Sequence, residues 1–423
     1  MYGRLGLGNH VGPKDPTRPE LCPQCKKIES QSRGLCVLPT EIKKLRGVQI
    51  KSLVCGPAHN MFVTKKSGRL FVWGKCHEGQ AGVGRRKGPS LDSCIDFPIE
   101  IPFFLKNKIR VEKVSTSVEH VLITASNQVY SWGSGVYGKL GHGDEKRCSK
   151  PKRIEYFSKE EHRIVSIGAA RQSSVVVLRS KKSEGVQFYM FGQDQNTPKH
   201  TSRVPTPLNV GFSLDSDVEL SCGYFHTIAT TPRGLIFGFG ANDHFESKTQ
   251  KPHLVLDRKV RKVTCGDGWS AILLEDGRVA TCGINEYGQL GSGDRSNRDR
   301  FQPVCVEGTT LLQGSVIEIA CGRKHLVVVG LDRERKERAI YTCGLNDIGQ
   351  LSVRRHASSI CLLSPVLLRA GSIAGTDDAR IVVVGGTNHT IVAVLEDEKE
   401  EDIESHSSVS STREKDNDGG GVL

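Results

Sequence analysis

Five histidines, His59, His120, His226, His325 and His389, each stand three residues after a glycine or, once, a serine: Gly56, Ser117, Gly223, Gly322 and Gly386. Imidazole titrates near neutral pH and ligates metals, so a recurring histidine invites a reading as acid, base or ligand. Their spacing argues otherwise. Each belongs to a separate copy of one repeat, which keeps the rings too far apart for a single metal and makes them packing and hydrogen-bonding elements. A second metal-like pattern is Cys22-Pro23-Gln24-Cys25, with Cys36 and His10 nearby. Structural zinc needs four ligands, and a lone knuckle with irregular partners is a weak candidate beside a loop with exposed thiols. No metal or cofactor is expected.

The run Tyr137-Gly138-Lys139-Leu140-Gly141-His142-Gly143-Asp144 and its relative Tyr287-Gly288-Gln289-Leu290-Gly291-Ser292-Gly293-Asp294 are glycine-rich enough to suggest a phosphate cradle. The phosphate-binding loop also requires Gly-Lys-Ser/Thr opening a helix, and no amphipathic helix follows either run. These glycines read as turn and strand-packing positions. There is no Gly-x-Ser-x-Gly elbow, no His-Glu-x-x-His and no set of nucleophile, base and orienting group, so no catalytic residue is assigned. Binding, rather than chemistry on a small substrate, is the expectation.

The elements that carry these residues recur seven times. Each unit has a β-branched apolar run, a Cys-Gly or its substitute, two variable residues, a His, a second apolar run, a turn, and an aromatic followed by Gly. The unit markers are Gly56, Ser117, Gly168, Gly223, Gly266, Gly322 and Gly386, 43 to 64 residues apart, which is blade-sized. In the fifth copy, Val260 to Thr264 reads as a strand, Ser270 to Leu274 as a second, and Asp276-Gly277 as a hairpin turn into Arg278 to Cys282. Small antiparallel sheets of this kind cannot bury both faces alone, and packing them radially solves that. The third unit, with Gly168-Ala169-Ala170-Arg171, puts Arg where five of the others have His.

With the Leu-Gly-x-Gly run interlocked in register with the Cys-Gly-x-x-His run from about Tyr2 to Leu395, the chain resembles the regulator of chromosome condensation repeat family. That resemblance implies an all-β fold, a seven-bladed β-propeller closed by pairing of the N- and C-terminal segments. The first residues, Tyr2-Gly3-Arg4-Leu5-Gly6-Leu7-Gly8, belong to the second motif, and the last unit stops after its Gly386 and His389 strand pair. The family's best-known member is a nucleotide exchange factor for a Ran-type small GTPase that also docks on nucleosomes. Its exchange function relies on acids in the two variable positions before the His. Here only Glu119 and Asp267 are acidic there, and as loop-tip residues both are expected to be dispensable for folding. Arg171, Arg323 and Lys324 are the basic candidates for partner contact. Another relative, a plant ultraviolet-B photoreceptor, needs clustered tryptophans, and this chain has three in all.

The net charge of +12 conceals a division. Residues 396–423 are Glu-, Asp- and Ser-rich with net −7 and read as a disordered tail, which leaves about +19 on the propeller of residues 1–395. A basic body favours an acidic protein surface, chromatin or nucleic acid. Loops expand at 9–38, 85–101 and 331–338, and loops on a rigid scaffold are where binding concentrates. No apolar run is long enough to span a membrane and no secretory signal is visible, so a cytoplasmic or nuclear setting is expected, with the fourteen cysteines reduced. The leading functional expectation is a protein–protein interaction scaffold, and the rival is guanine-nucleotide exchange.

Overall fold

The computed structural model describes residues 39 and 41–395, apart from 76, 85–93, 159–160, 182–184, 194–200, 211–213, 215, 241–252, 258, 354–357 and 367–378. The regular secondary structure among the described residues is nearly all strand. Six four-stranded antiparallel sheets follow one another along the chain, each with its strands in sequence order. Blade 1 holds Ile50–Cys55, His59–Thr64, Leu70–Lys75 and Cys94–Glu100. Blades 2 to 6 open with the strands Val111–Thr116, His162–Ala169, Glu219–Cys222, Val260–Cys265 and Glu318–Cys321. Blade 7 is represented by the pair Arg380–Gly385 and Thr390–Leu395.

The first strand of every blade packs beside the first strand of the next, and Arg380–Gly385 of blade 7 packs beside Ile50–Cys55 of blade 1. The chain is therefore a closed β-propeller. The N-terminal segment expected to complete blade 7 lies outside the described residues, as do Cys22, Cys25, Cys36 and His10.

Local chemistry explains the blade. Second strands such as His120–Ala125 and Trp269–Leu274 are buried throughout, because both faces are covered by neighbouring blades. The turn Ser126-Asn127 has positive φ at both residues, 49° and 55°, which suits the twist of a two-residue hairpin. Pro151, Pro303 and Pro365 lie in the fourth, outermost strands, where a missing N–H costs no ladder bond. Cys94–Glu100, within the segment expected as an insertion, is likewise an outer strand containing Pro98.

The two motifs meet between blades. Trp132 of blade 2 donates through Nε1 to Gln80 O of blade 1 at 2.8 Å, and a Cβ on Gly82 would lie 2.8 Å from that same Nε1. Gly141 faces the Phe191 ring and Gly291 the Cys343 sulfur in the same way. The Leu-Gly glycine of one blade is thus the seat for the aromatic or cysteine position of the next.

Candidate functional site

The Gly-x-x-His turns all open on one face. In each, the N–H of the first residue bonds to the carbonyl of the fourth: Gly56 to His59, Ser117 to His120, Gly223 to His226, Gly266 to Trp269, Gly322 to His325 and Gly386 to His389, at 2.8–3.0 Å. The third blade does the same with Ala170 and Ser173. This corrects the expected register. Gly168 lies two residues earlier, inside the strand His162–Ala169 and paired with Val175, and a Cβ on it would meet Cys222 Sγ of blade 4. Blade 3 has eight-residue strands, so Gly-Ala-Ala imitates the Cys-Gly turn before the real turn begins. Arg171 is consequently the first variable residue, and Ser173 takes the His place.

The histidines tie blades together. His120 Nε2 meets Ser174 Oγ of blade 3 at 2.8 Å, His226 Nε2 meets Ser270 Oγ of blade 5 at 2.7 Å, and His325 Nε2 meets Thr390 Oγ1 of blade 7 at 3.0 Å. His59 reaches Thr116 Oγ1 of blade 2 at 2.5 Å. Each ring folds back over its own glycine, so a Cβ on Gly322 or Gly386 would lie 2.0–2.1 Å from the ring Cε1. Where Ser117 replaces glycine, its hydroxyl hydrogen-bonds His120 Nδ1 at 2.7 Å. Burial holds His59, His226 and His325 neutral, with pKa values of about 4, and pushes His120 well down. Among the described residues no group of three metal-ligating side chains converges. Burial likewise raises the thiols, Cys222 to about 12 and Cys265 to about 11, and the nine cysteines whose side chains are described are free.

The first variable residues surround the propeller axis. Successive turns are stitched there by backbone bonds: Arg171 N to Tyr224 O, Tyr224 N to Gly266 O, Asp267 N to Arg323 O and Arg323 N to Gly386 O, at 3.0–3.3 Å. Their side chains build a mouth of cations on aromatic rings. Arg171 lies 5.7 Å from the centroids of both Tyr224 and Phe225, and Arg323 lies 5.2 Å from that of Tyr224. Beside them Lys324 Nζ sits 4.2 Å from the Tyr287 centroid and donates to its hydroxyl at 3.2 Å. Such stacking fixes cations in place while leaving their charge available.

The two acidic candidates are already paired. Asp267 Oδ2 accepts from Arg323 Nε at 2.8 Å. Glu119 Oε2 accepts from Lys139 Nζ at 3.1 Å, and the Lys139 side chain is only 2% exposed. Sequence reasoning missed Lys139. Its signal was its place in the motif, where Gln80, Gln289 and Gln350 stand in other blades and accept backbone N–H bonds. It also missed the rings of Tyr224, Phe225 and Tyr287.

Comparison with known proteins agrees with this geometry. Models described as "Regulator of chromosome condensation (RCC1) repeat" match residues 126–177, 276–329 and 260–289. The ultraviolet-B receptor UVR8 of Arabidopsis thaliana is 29% identical over 62% of this chain and 59% of its own length. The E3 ubiquitin-protein ligase HERC2 of Homo sapiens is 26% identical over 70% of this chain and 6% of its own. The chain thus spans less than two thirds of these relatives. Human WBSCR16 superposes with a TM-score of 0.68 at 20% identity, covering 93% of this chain and 97% of that one. Prp20p from Saccharomyces cerevisiae, whose structure was described with its binding properties to Gsp1p and histones, gives 0.66 at 18% identity over 94% and 90%. With both motifs interlocked blade after blade and the repeat models matched on four of those blades, the chain carries repeats of the regulator of chromosome condensation type.

Proposed function

We propose that the chain is a non-enzymatic protein–protein interaction scaffold that receives an acidic segment of a protein partner at the mouth formed by Arg171, Tyr224, Asp267, Arg323 and Lys324. The observation that carries this reading is electrostatic. Arg171 and Lys324 are held on aromatic rings and form no ion pair with a carboxylate among the described residues. An anionic side chain arriving there gains a charge-assisted bond without first displacing a counter-ion. A rigid ring of short turns adds little ordering cost on binding.

Guanine-nucleotide exchange on a Ran-type small GTPase is the rival reading, and chromatin association accompanies it. The likeness to Prp20p supports both. Against exchange stands the pairing of Glu119 and Asp267 within the chain, which occupies one oxygen of each carboxylate.

The test is fluorescence anisotropy with a short polyglutamate peptide and a polylysine control of equal length. Arg171→Ala with Lys324→Ala is expected to weaken polyglutamate binding by about tenfold, on the scale of one charge-assisted contact. The same affinity in the variant as in the wild type would overturn the assignment of the mouth.

A further inference from the structure

The face opposite the mouth carries the β-hairpin turns, and its charge is unevenly distributed. On blades 3 to 6 Arg163 and Arg179 share Asp217, Lys262 pairs with Glu318 and Arg278 pairs with Asp276, while Arg233, Lys259 and Lys336 are exposed and form no ion pair among the described residues. On blades 1 and 2 Arg46 pairs with Glu41 and Arg69 with Glu100, and a denser cluster of lysines remains beside them. Lys43, Lys44, Lys51, Lys66, Lys106 and Lys108 are all exposed, and none forms an ion pair among the described residues. Residues 41–70 and 101–113 together contain eleven Lys and Arg against two acids.

Local packing gathers these lysines. Lys44 Nζ lies 3.5 Å from the Phe97 centroid, which places the Lys43–Leu45 turn against the outer strand of blade 1. The Lys66 carbonyl accepts from Arg110, and Val111 N bonds Gly68 O at 2.9 Å, which ties the blade 1 hairpin to the segment holding Lys106 and Lys108. Leu105, 56% exposed, adds apolar surface at the centre of that segment.

The last described strand ends beside this patch. The strand Thr390–Leu395 runs from the mouth toward the hairpin face, and its last residue, Leu395, packs with Ile391 and Ala393 against the core cluster of blade 1. The residues that follow, 396–404, contain seven acids and one lysine.

We infer that the basic hairpin face of blades 1 and 2 is the docking surface for the chain's own acidic segment beginning at Glu396. Charge complementarity and tethering both favour that occupant over an acidic segment from another molecule. Because residues 396–404 follow Leu395 directly, even a fully extended chain of that length reaches no more than about 30 Å from it, which holds these charges at about millimolar effective concentration or above. Attraction between exposed charges at this distance is ionic-strength dependent.

Zero-length carbodiimide cross-linking of the full chain tests this, with an equal mixture of isotopically light and heavy protein to separate links within a chain from links between chains. At ~50 mM salt, within-chain links from the carboxylates of residues 396–404 to Lys43, Lys44, Lys106 and Lys108 are expected, and ~500 mM salt removes most of them. Replacing the exposed Lys51 and Lys66 of the same patch by glutamate in the full chain, which keeps the four linking amines, weakens these links without altering the melting temperature. Links distributed evenly over Lys259, Lys324 and Lys336 as well, or links found only between chains, would overturn the proposal.

Discussion

His389 Nε2 donates to Asn60 Oδ1 at 2.6 Å and so joins residues 329 positions apart in the chain. It is the same interblade bond that His120 makes to Ser174, His226 to Ser270 and His325 to Thr390, placed where blade 7 meets blade 1. In the interior of the ring the polypeptide itself connects the two blades so joined. Here, among the described residues, this side-chain bond and the packing of Ile391, Ala393 and Leu395 on blade 1 join the two blades. Removing either partner leaves the other buried, since His389 is 2% and Asn60 0% exposed. Asn60→Ala or His389→Ala is expected to lower stability by about 1–3 kcal/mol, with a coupling of about 1 kcal/mol in the double-mutant cycle measured by denaturant unfolding. Additive effects of the two substitutions would remove the bond from the account of closure.

The buried histidines make the fold acid-sensitive. His59, His226 and His325 titrate near 4 in the folded protein against 6.5 ordinarily, so between these values the unfolded chain binds more protons. Stability therefore falls as pH drops through 6.5 and continues to fall until about 4. Each ring contributes roughly 1.4 kcal/mol per pH unit across that window. Asp217 and Asp294, held low chiefly by hydrogen bonds from Arg163 and Arg298, act only in the more acid range. His325→Gln should make the slope of unfolding free energy against pH shallower by about one proton. An unchanged slope would show that His325 does not titrate as described.

Glu119 has a structural duty that its loop position concealed. Its carboxylate is the partner of the buried Lys139 ammonium, so Glu119→Ala should cost about 1–2 kcal/mol after allowance for the solvent reaching Glu119. Lys139→Gln restores the residue found at Gln80, Gln289 and Gln350, and combined with Glu119→Ala it should recover most of the loss. Thermal melting of the two single variants and the double variant decides this. A Glu119→Ala protein as stable as wild type would return the residue to the role of a dispensable loop tip.

The propeller was legible because its two motifs recur in register, and each copy corroborates the others. Legibility failed where a copy drifts. In blade 3 longer strands moved the turn from Gly168 to Ala170, and the sequence offered Gly-Ala-Ala as a decoy. Of the residues proposed for partner contact, Arg171, Asp267, Arg323 and Lys324 were visible as variable positions between two fixed ones. Their convergence was not, because residues such as Arg171 and Tyr224 become neighbours only when separate turns are drawn to one axis. The pairing of Glu119 with Lys139 was hidden for the same reason: 20 residues separate them, and the folded blade brings them together.

The most direct test of the central claim, that this propeller binds rather than catalyses exchange, is the release of fluorescent GDP from a Ran-type GTPase mixed with excess full chain. The account predicts release at the spontaneous rate, because Glu119 and Asp267 are bound to Lys139 and Arg323. Acceleration by tenfold or more, lost on Asp267→Ala by an amount corresponding to about 2–4 kcal/mol, would contradict it and establish exchange at this face.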